Sequence, residues 1–445
     1  MFNVFSELLI SGPANSTREG PNASKVGGGG NPAASHLTSV IGARWETDGG
    51  KIAAPATADW EDGMKPWHSC ACPCCDVSPR GRLGRRRFLQ ATGFGAVGLS
   101  LGARCAAAAS VPEIPYVSVA DLLDLPPDRY LGEVSGVATN SAGHIFVFSR
   151  GNSDGPAYGA AAAQLLEFDA KGRFLREIGH RLYAWSFAHT VKVDAHDNIW
   201  VTDKGSDLVI KFTPDGRVDM VFGRKQEAAD EKTGPLSHPN PPLPAIDGYF
   251  RQVTDVAWDA AGNSYISDGY INSRVAKIDK NGTWLKSWGE RGTAPGQFHT
   301  PHSIAIDARG LIYVADRSNR RIQVFNGEGN FQRQFTIDVP VPAGARPAIG
   351  NHPDAAMIAE GTFAPGAPWA ICISPGPNQV LYSADAYPGR IYRLTLEGEV
   401  LGVLGESGKQ LKQFGWIHEM ACPQENTLYV AELLNWRVQK LILTL

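Results

Sequence analysis

The chain has 445 residues and a formal net charge of −3, with 43% hydrophobic and 20% charged residues. That balance suits a globular protein with a sizeable core and, with no basic excess, argues against nucleic acid as the main partner. The 49 glycines and 30 prolines point to many short elements joined by turns.

In chain order, residues 1–79 form an amino-terminal extension. Its first 60 or so positions are rich in Gly, Ala, Ser and Asn without hydrophobic periodicity and are expected to be disordered. Residues 80–109 read as an export signal. Arg85-Arg86 stand just before Phe88-Leu89, an uncharged stretch runs from Ala91 to Ala103, and an alanine run ends at Ala109. This is a twin-arginine pattern, predicting passage through the twin-arginine machinery to the periplasm or beyond. The uncharged stretch is too short to span a membrane. A nucleic-acid patch is the other reading of the arginines, and the apolar segment behind them disfavours it. Met64 is an alternative start to Met1, and Arg104 before Cys105 disfavours a lipid anchor.

Five of the seven cysteines (Cys70, Cys72, Cys74, Cys75 and Cys105) precede the expected cleavage point. The first four could bind zinc but would be lost on maturation. Cys372 and Cys422 remain. They differ by one position in the repeat described next, so they are predicted to face opposite sides of their strands and to stay buried free thiols.

Residues 111–445 carry a repeat: apolar strand, Asp-x-x-Gly turn, apolar strand ending in an acid, loop, third strand, Gly turn, fourth strand. The clearest copy begins at His299, and five others begin near Gly132, Ser186, Phe250, Pro368 and Trp416. Short β-branched alternating runs with four strands per roughly 40–50 residues predict an all-β, six-bladed β-propeller rather than a sandwich. The sixth copy lacks its last strand. Ile114–Leu123 is apolar enough to supply it, closing the ring and removing a sheet edge. Two insertions, near Arg224–Ile246 and Val339–Gly361, exceed hairpin length and are either rim loops with a role or surface decoration. The second holds His352.

One slot of the first strand holds Ser135, His189, Thr254, His302, Trp369 and His418 in successive copies. The first strand of a blade lines the axis, so three imidazoles from alternate blades should converge. Three neutral imidazoles with an open fourth position suit a catalytic zinc. The acids ending the second strand (Asp203, Asp268, Asp316, Asp385 and Glu432) read as structural. The next position holds Arg150 in the first copy and Arg317 in the fourth, across the axis from each other, and Tyr270 lies at the same rim. Arginine suits bidentate carboxylate recognition, and a tyrosine among cations suits a general base.

The runs Val134-Ser-Gly-Val-Ala, Phe148-Ser-Arg-Gly, Ile266-Ser-Asp-Gly-Tyr-Ile-Asn-Ser-Arg, Thr300-Pro-His-Ser and Val314-Ala-Asp-Arg-Ser-Asn-Arg-Arg-Ile-Gln resemble the lyase domain of peptidylglycine α-amidating monooxygenase, an NHL-repeat propeller. The likeness covers nearly all of Gly132–Leu445. It implies zinc on His189, His302 and His418, catalysis by Tyr270, Arg150 and Arg317, and a structural calcium on Val137, Val191 and Glu419. Glu419 stands where the family has an aspartate. The family's disulfide positions fall on Arg251, Ile271, Tyr313 and Val324, so neither bridge can form here. No copper-monooxygenase domain is recognised ahead of the repeats, which places the hydroxylating step on another chain.

The resemblance implies a secreted, monomeric zinc lyase. Its substrate would be a small molecule or peptide with a free carboxylate, an α-hydroxyglycine-type carbinolamide split into an amide and glyoxylate. Two other readings stand beside it: a metal-dependent propeller hydrolase of the lactonase kind, for which Glu419 and Asp255 are the only nearby axial acids, and a non-catalytic binding platform.

Overall fold

Alternation of apolar residues along each strand decides how the sheets stack. In the strand Ile145–Ser149, Ile145 and Val147 join the apolar cluster shared with the last blade, while Phe146 and Phe148 join that shared with the second. Both faces are therefore covered, and the strand reads as a continuous apolar run. The same arrangement recurs around the ring, with one apolar cluster at each of the six interfaces between neighbouring blades.

The computed structural model describes residues 111–151, 163–225, 242–347, 353 and 355–445. The amino-terminal extension, the twin-arginine motif, the five amino-terminal cysteines and His352 lie outside the described residues. Within them are six four-stranded antiparallel sheets arranged as a propeller, and one short helix, Ala355–Ala359. No helix among the described residues is long and apolar enough to cross a membrane.

The inner strands of blades 1 to 6 are Val134–Thr139, Ala188–Val193, Asp255–Trp258, Pro301–Ile306, Ala370–Ile373 and Ile417–Gln424. Blades 1 to 4 turn on the predicted Asp-x-x-Gly hairpin or a close variant, whereas blade 5 uses a longer loop closed by Ser374 and Val380 and blade 6 a tight turn between Gln424 and Thr427. In blade 4, Asp307 Oδ1 accepts the amides of Arg309 and Leu311 at 2.9 Å, and Gly310 closes the turn at φ 78°, a conformation that favours glycine. Tyr116–Val119 pairs antiparallel with Arg437–Leu443 and completes blade 6, as expected from the missing strand.

The thiol expectation fails. Cys372 and Cys422 form a disulfide, with Cα atoms 6.1 Å apart. The inner strand of blade 6 carries an irregularity between Ala421 and Gln424, where Cys422 and Pro423 oppose a single residue of the partner strand. The opposite-face expectation itself holds: Met420 and Cys422 both face blade 5, with Ala421 between them on the other side, and Cys372 faces blade 6, so opposite faces of neighbouring blades bring the two sulfurs together.

Candidate active site

The three histidines each stand on a local break in strand pairing. Ala188 pairs with Asp203 and Thr190 with Thr202, skipping His189. His302 is skipped in the same way between Pro301 and Ser303, and His418 between Ile417 and Glu419. A bulge turns a side chain off the pleat, and here it turns three of them toward the axis. Their ring centroids lie 4.6, 4.8 and 4.9 Å apart, and one ring nitrogen from each can lie within 4.8 Å of the others.

Each imidazole is fixed by the blade that follows it. Nδ1 of His189 donates to the Thr254 carbonyl at 2.7 Å, that of His302 to Trp369 at 2.6 Å, and that of His418 to Ser135 at 2.7 Å. A carbonyl can only accept, so each Nδ1 carries the proton and each Nε2 presents a lone pair inward. The non-histidine members of the repeat slot are thus the orienting partners, an outer shell for a metal. Burial holds all three pKa values well below the usual histidine range. The neighbouring imidazoles and the Arg150, Arg317 and Lys204 charges act in the same direction. Neutral rings are the ligating form. Nε2 of His302 is buried without any hydrogen-bond partner. Donor type, number, tautomer and this orphaned nitrogen fit a three-histidine zinc site with an open position.

Tyr270 sits over this triad. Its hydroxyl is 3.3 Å from His189 Nε2 and accepts a hydrogen bond from Arg317 Nη1 at 3.4 Å. Gly269 makes the approach possible, since a Cβ there would lie 2.1 Å from the Pro301 carbonyl oxygen. The loop carrying Tyr270 lacks the family's cysteines and is held by polar contacts instead. Arg251 Nη1 donates to Asn272 Oδ1 at 2.9 Å, and the Arg251 amide donates to Asp268 at 2.9 Å. At the other pair of bridge positions, Tyr313 and Val324 are cross-strand neighbours in the register.

Arg150 and Arg317 reach the same mouth from blades 1 and 4. Arg150 donates through Nε to the Ala188 carbonyl at 2.9 Å and through Nη1 to Glu133 at 2.9 Å, and its Nη2 is 3.5 Å from His418 Nε2. Arg317 stacks on Trp369, 4.1 Å from the ring centroid, and its buried Nε has no partner.

A third cation was missed from the sequence. The Lys204 Nζ lies 3.7 Å from the centroid of the Tyr270 ring. It follows Asp203 as Arg317 follows Asp316 and Arg150 follows Ser149, so the same repeat position marks all three. Burial pushes the Tyr270 phenol up, but the charges of Lys204, Arg317 and Arg150 together outweigh it, and the net shift is downward. The strand-ending acids are structural, as read. Asp203, for example, accepts amides from Ser186, Phe187, Gly205 and Ser206, which fixes the loop that carries Lys204.

Trp369, on which Arg317 stacks, belongs to an aromatic wall. Trp416 packs at 5.1 Å on both Trp369 and Phe363. Phe363 follows directly on the second insertion, so that insertion leads into the rim. The wall has no repeat signature, because each ring comes from a different position. Farther along the inner strands, Glu419 Oε2 accepts the Val191 amide at 3.1 Å, and the Val137 amide acts on the same carboxyl, so the three expected calcium residues lie together.

Comparison with known proteins places this geometry. The NHL repeat model matches residues 298–325, within blade 4. Peptidyl-glycine alpha-amidating monooxygenase A of Xenopus laevis is 27% identical over 333 residues, covering 68% of this chain and 31% of that protein. Peptidyl-alpha-hydroxyglycine alpha-amidating lyase 1 of Drosophila melanogaster is 24% identical over 347 residues, covering 70% of this chain and 57% of that protein. NHL repeat-containing protein 3 of Mus musculus is 30% identical over 234 residues, 48% of this chain and 59% of that one. The chain thus spans about a third of the amidating monooxygenase it matches. The chain is a six-bladed propeller with an NHL repeat in blade 4, similar in sequence to peptidyl-glycine alpha-amidating monooxygenases and peptidyl-alpha-hydroxyglycine alpha-amidating lyases.

Proposed function

We propose that the protein is a zinc-dependent lyase that splits an α-hydroxyglycine-type carbinolamide into an amide and glyoxylate. The observation that carries this reading is the Tyr270 hydroxyl. It lies within hydrogen-bond reach of both a triad nitrogen, His189 Nε2, and a guanidinium, Arg317 Nη1. A general base for a hydroxyl bound at the triad needs that position.

His189, His302 and His418 would hold the zinc, which supplies Lewis acidity at the substrate hydroxyl oxygen. The chain's own residues do the rest. Tyr270, as phenolate, takes the hydroxyl proton. The C–N bond breaks as the aldehyde C=O forms, and the proton passes from Tyr270 to the departing amide nitrogen. Arg317, with a free Nε and a ring-stacked plane, and Lys204 hold the substrate carboxylate. Arg150, tied to Glu133 and Ala188, is more fixed and keeps positive potential beside His418. The wall of Phe363, Trp369 and Trp416 takes the apolar acyl portion and excludes water.

A hydrolase built on axial carboxylates finds less support. Among the described residues, the three histidines are the one group of three or more His, Cys, Asp or Glu side chains with converging ligand atoms. A binding platform would leave Arg317, buried with an unpartnered Nε, and Lys204, poised over the Tyr270 ring, without a use.

The test is glyoxylate release from a panel of α-hydroxyglycine derivatives by zinc-loaded protein. Tyr270→Phe should retain zinc and lose on the order of 10²–10⁴ in rate, and His302→Ala should lose the zinc itself. No glyoxylate from any member of the panel would refute the assignment. Export by the twin-arginine route is part of the proposal, and cell fractionation of the Arg85→Lys, Arg86→Lys double variant checks it. Action as a monomer is checked by light scattering.

A further inference from the structure

The axial channel beyond the histidines holds a cation of the chain's own. Lys192, on the inner strand of blade 2, extends its Nζ to Asp255 Oδ2 of blade 3 at 2.7 Å and to the Ile304 carbonyl of blade 4 at 2.9 Å. A carboxylate and a backbone carbonyl are the donor types calcium takes, and here an ammonium takes them. Asp255 is wholly buried. Its other contacts are also filled. Oδ2 accepts Ser303 Oγ at 2.8 Å and the Ile304 amide at 2.9 Å, and Oδ1 accepts the Val256 amide at 2.8 Å.

Glu419 approaches from blade 6. Its Oε2 binds the Val191 amide at 3.1 Å and fills the space that the missing Cβ of Gly136 leaves, where a Cβ would lie 2.7 Å from it. Lys192 and Asp255 both act electrostatically on this carboxyl, so the three groups share one buried neighbourhood. Oε1 of Glu419 is the one axial carboxylate oxygen there without a partner.

Calcium requires six to eight oxygen ligands. Beside the Val137 and Val191 carbonyls that the resemblance implies, the axis offers one free carboxylate oxygen, Glu419 Oε1, and the Lys192 ammonium already occupies Asp255 and adds a fixed positive charge to the same neighbourhood. The residues therefore do not fit the ion that the resemblance implies. We propose that the Lys192 ammonium takes the structural place of the axial calcium, tying blades 2, 3 and 4 together without a metal. This inference is independent of the lyase reading, because it concerns only the ion that braces the axis.

Metal analysis and thermal unfolding test it without reference to activity. Protein purified in millimolar calcium and then desalted should carry under about 0.1 calcium per chain, and added calcium should leave its melting temperature unchanged. Lys192→Met would leave Asp255 buried and unpaired, and in calcium-free buffer should melt lower by roughly 5–10 °C. About one calcium per wild-type chain, a melting temperature that rises with calcium, or a Lys192→Met protein as stable as wild type would each overturn the proposal. Should that variant fail to accumulate, the wild-type calcium content alone decides.

Discussion

Lys204 offers the most direct measurement of how neighbouring charge tunes the Tyr270 phenol, the proposed base. Lys204→Met keeps the length of the stem and removes the charge. Two unit charges about 4 Å apart interact by about 4 kcal/mol at an effective dielectric of 20. The ammonium is 3.7 Å from the Tyr270 ring centroid, and the phenolate oxygen lies off that centroid. Taking half the figure gives about 2 kcal/mol, or about 1.5 pKa units. The sign follows from the charge. Losing a cation destabilises the phenolate, so the Tyr270 pKa rises and the phenolate fraction at neutral pH falls. The rising limb of the pH–rate profile for glyoxylate release should move up by about 1–1.5 units, and Lys204→Arg should restore most of it. Tyrosinate absorbance, taken as the difference between each protein and its Tyr270→Phe counterpart, reads the same shift without activity. A limb and a titration midpoint both unmoved would show that Lys204 does not act on Tyr270.

Arg317→Lys retains a charge but loses the planar fork that stacks on Trp369 and reaches Tyr270. It should raise KM about tenfold or more for substrates with a free carboxylate and barely alter binding of amide-blocked analogues, and equal losses for both would remove the carboxylate role. Asp207 gives a pH prediction. Burial is the main cause raising its carboxyl to about 7, with Asp268 and Asp203 adding to it and the Gln252 amide opposing. Between the ordinary carboxyl range and pH 7 the folded state keeps a proton that the unfolded state has released, so stability falls as pH rises through that window. The loss above pH 7 is on the order of 4 kcal/mol. Asp207→Asn keeps an acceptor for the Gln252 amide and tolerates the local φ of 58°. It should melt higher than wild type at pH 8, with the gain vanishing toward pH 4, whereas a gain independent of pH would show that the carboxyl is not the cause.

What could be read from the sequence was whatever the repeat indexes. His189, His302 and His418 share a slot, and counting from one turn residue located all three. The same count locates Arg150 and Arg317, and it would have located Lys204 had cations rather than arginines been followed. The closing strand was legible because one blade lacked a member and one apolar segment lacked a place. The count also placed Cys372 and Cys422 on opposite faces, and those are the faces by which neighbouring blades meet, so a disulfide stands where two thiols were expected. The aromatic wall was hidden because Phe363 leaves an insertion that no repeat position governs. The Lys192–Asp255 pair was hidden by distance along the chain, as nothing in a lysine of one blade announces an aspartate of the next.

The locks on the histidine rings make the site a property of the closed ring rather than of any blade. Each inward-facing imidazole is held by a carbonyl of the following blade, from blade 2 to 3, 4 to 5, and 6 to 1. A shift between two such blades would therefore turn a ring as well as move it. The last of these contacts crosses the seam where the chain closes, from His418 to Ser135. Blade 6, which carries His418, is also the blade completed by Tyr116–Val119 from the other end of the propeller. Closure of the fold and orientation of the third imidazole are consequently one structural event. A lesion at the seam, though far from the substrate, should act on metal affinity before it acts on the stability of the remaining five blades.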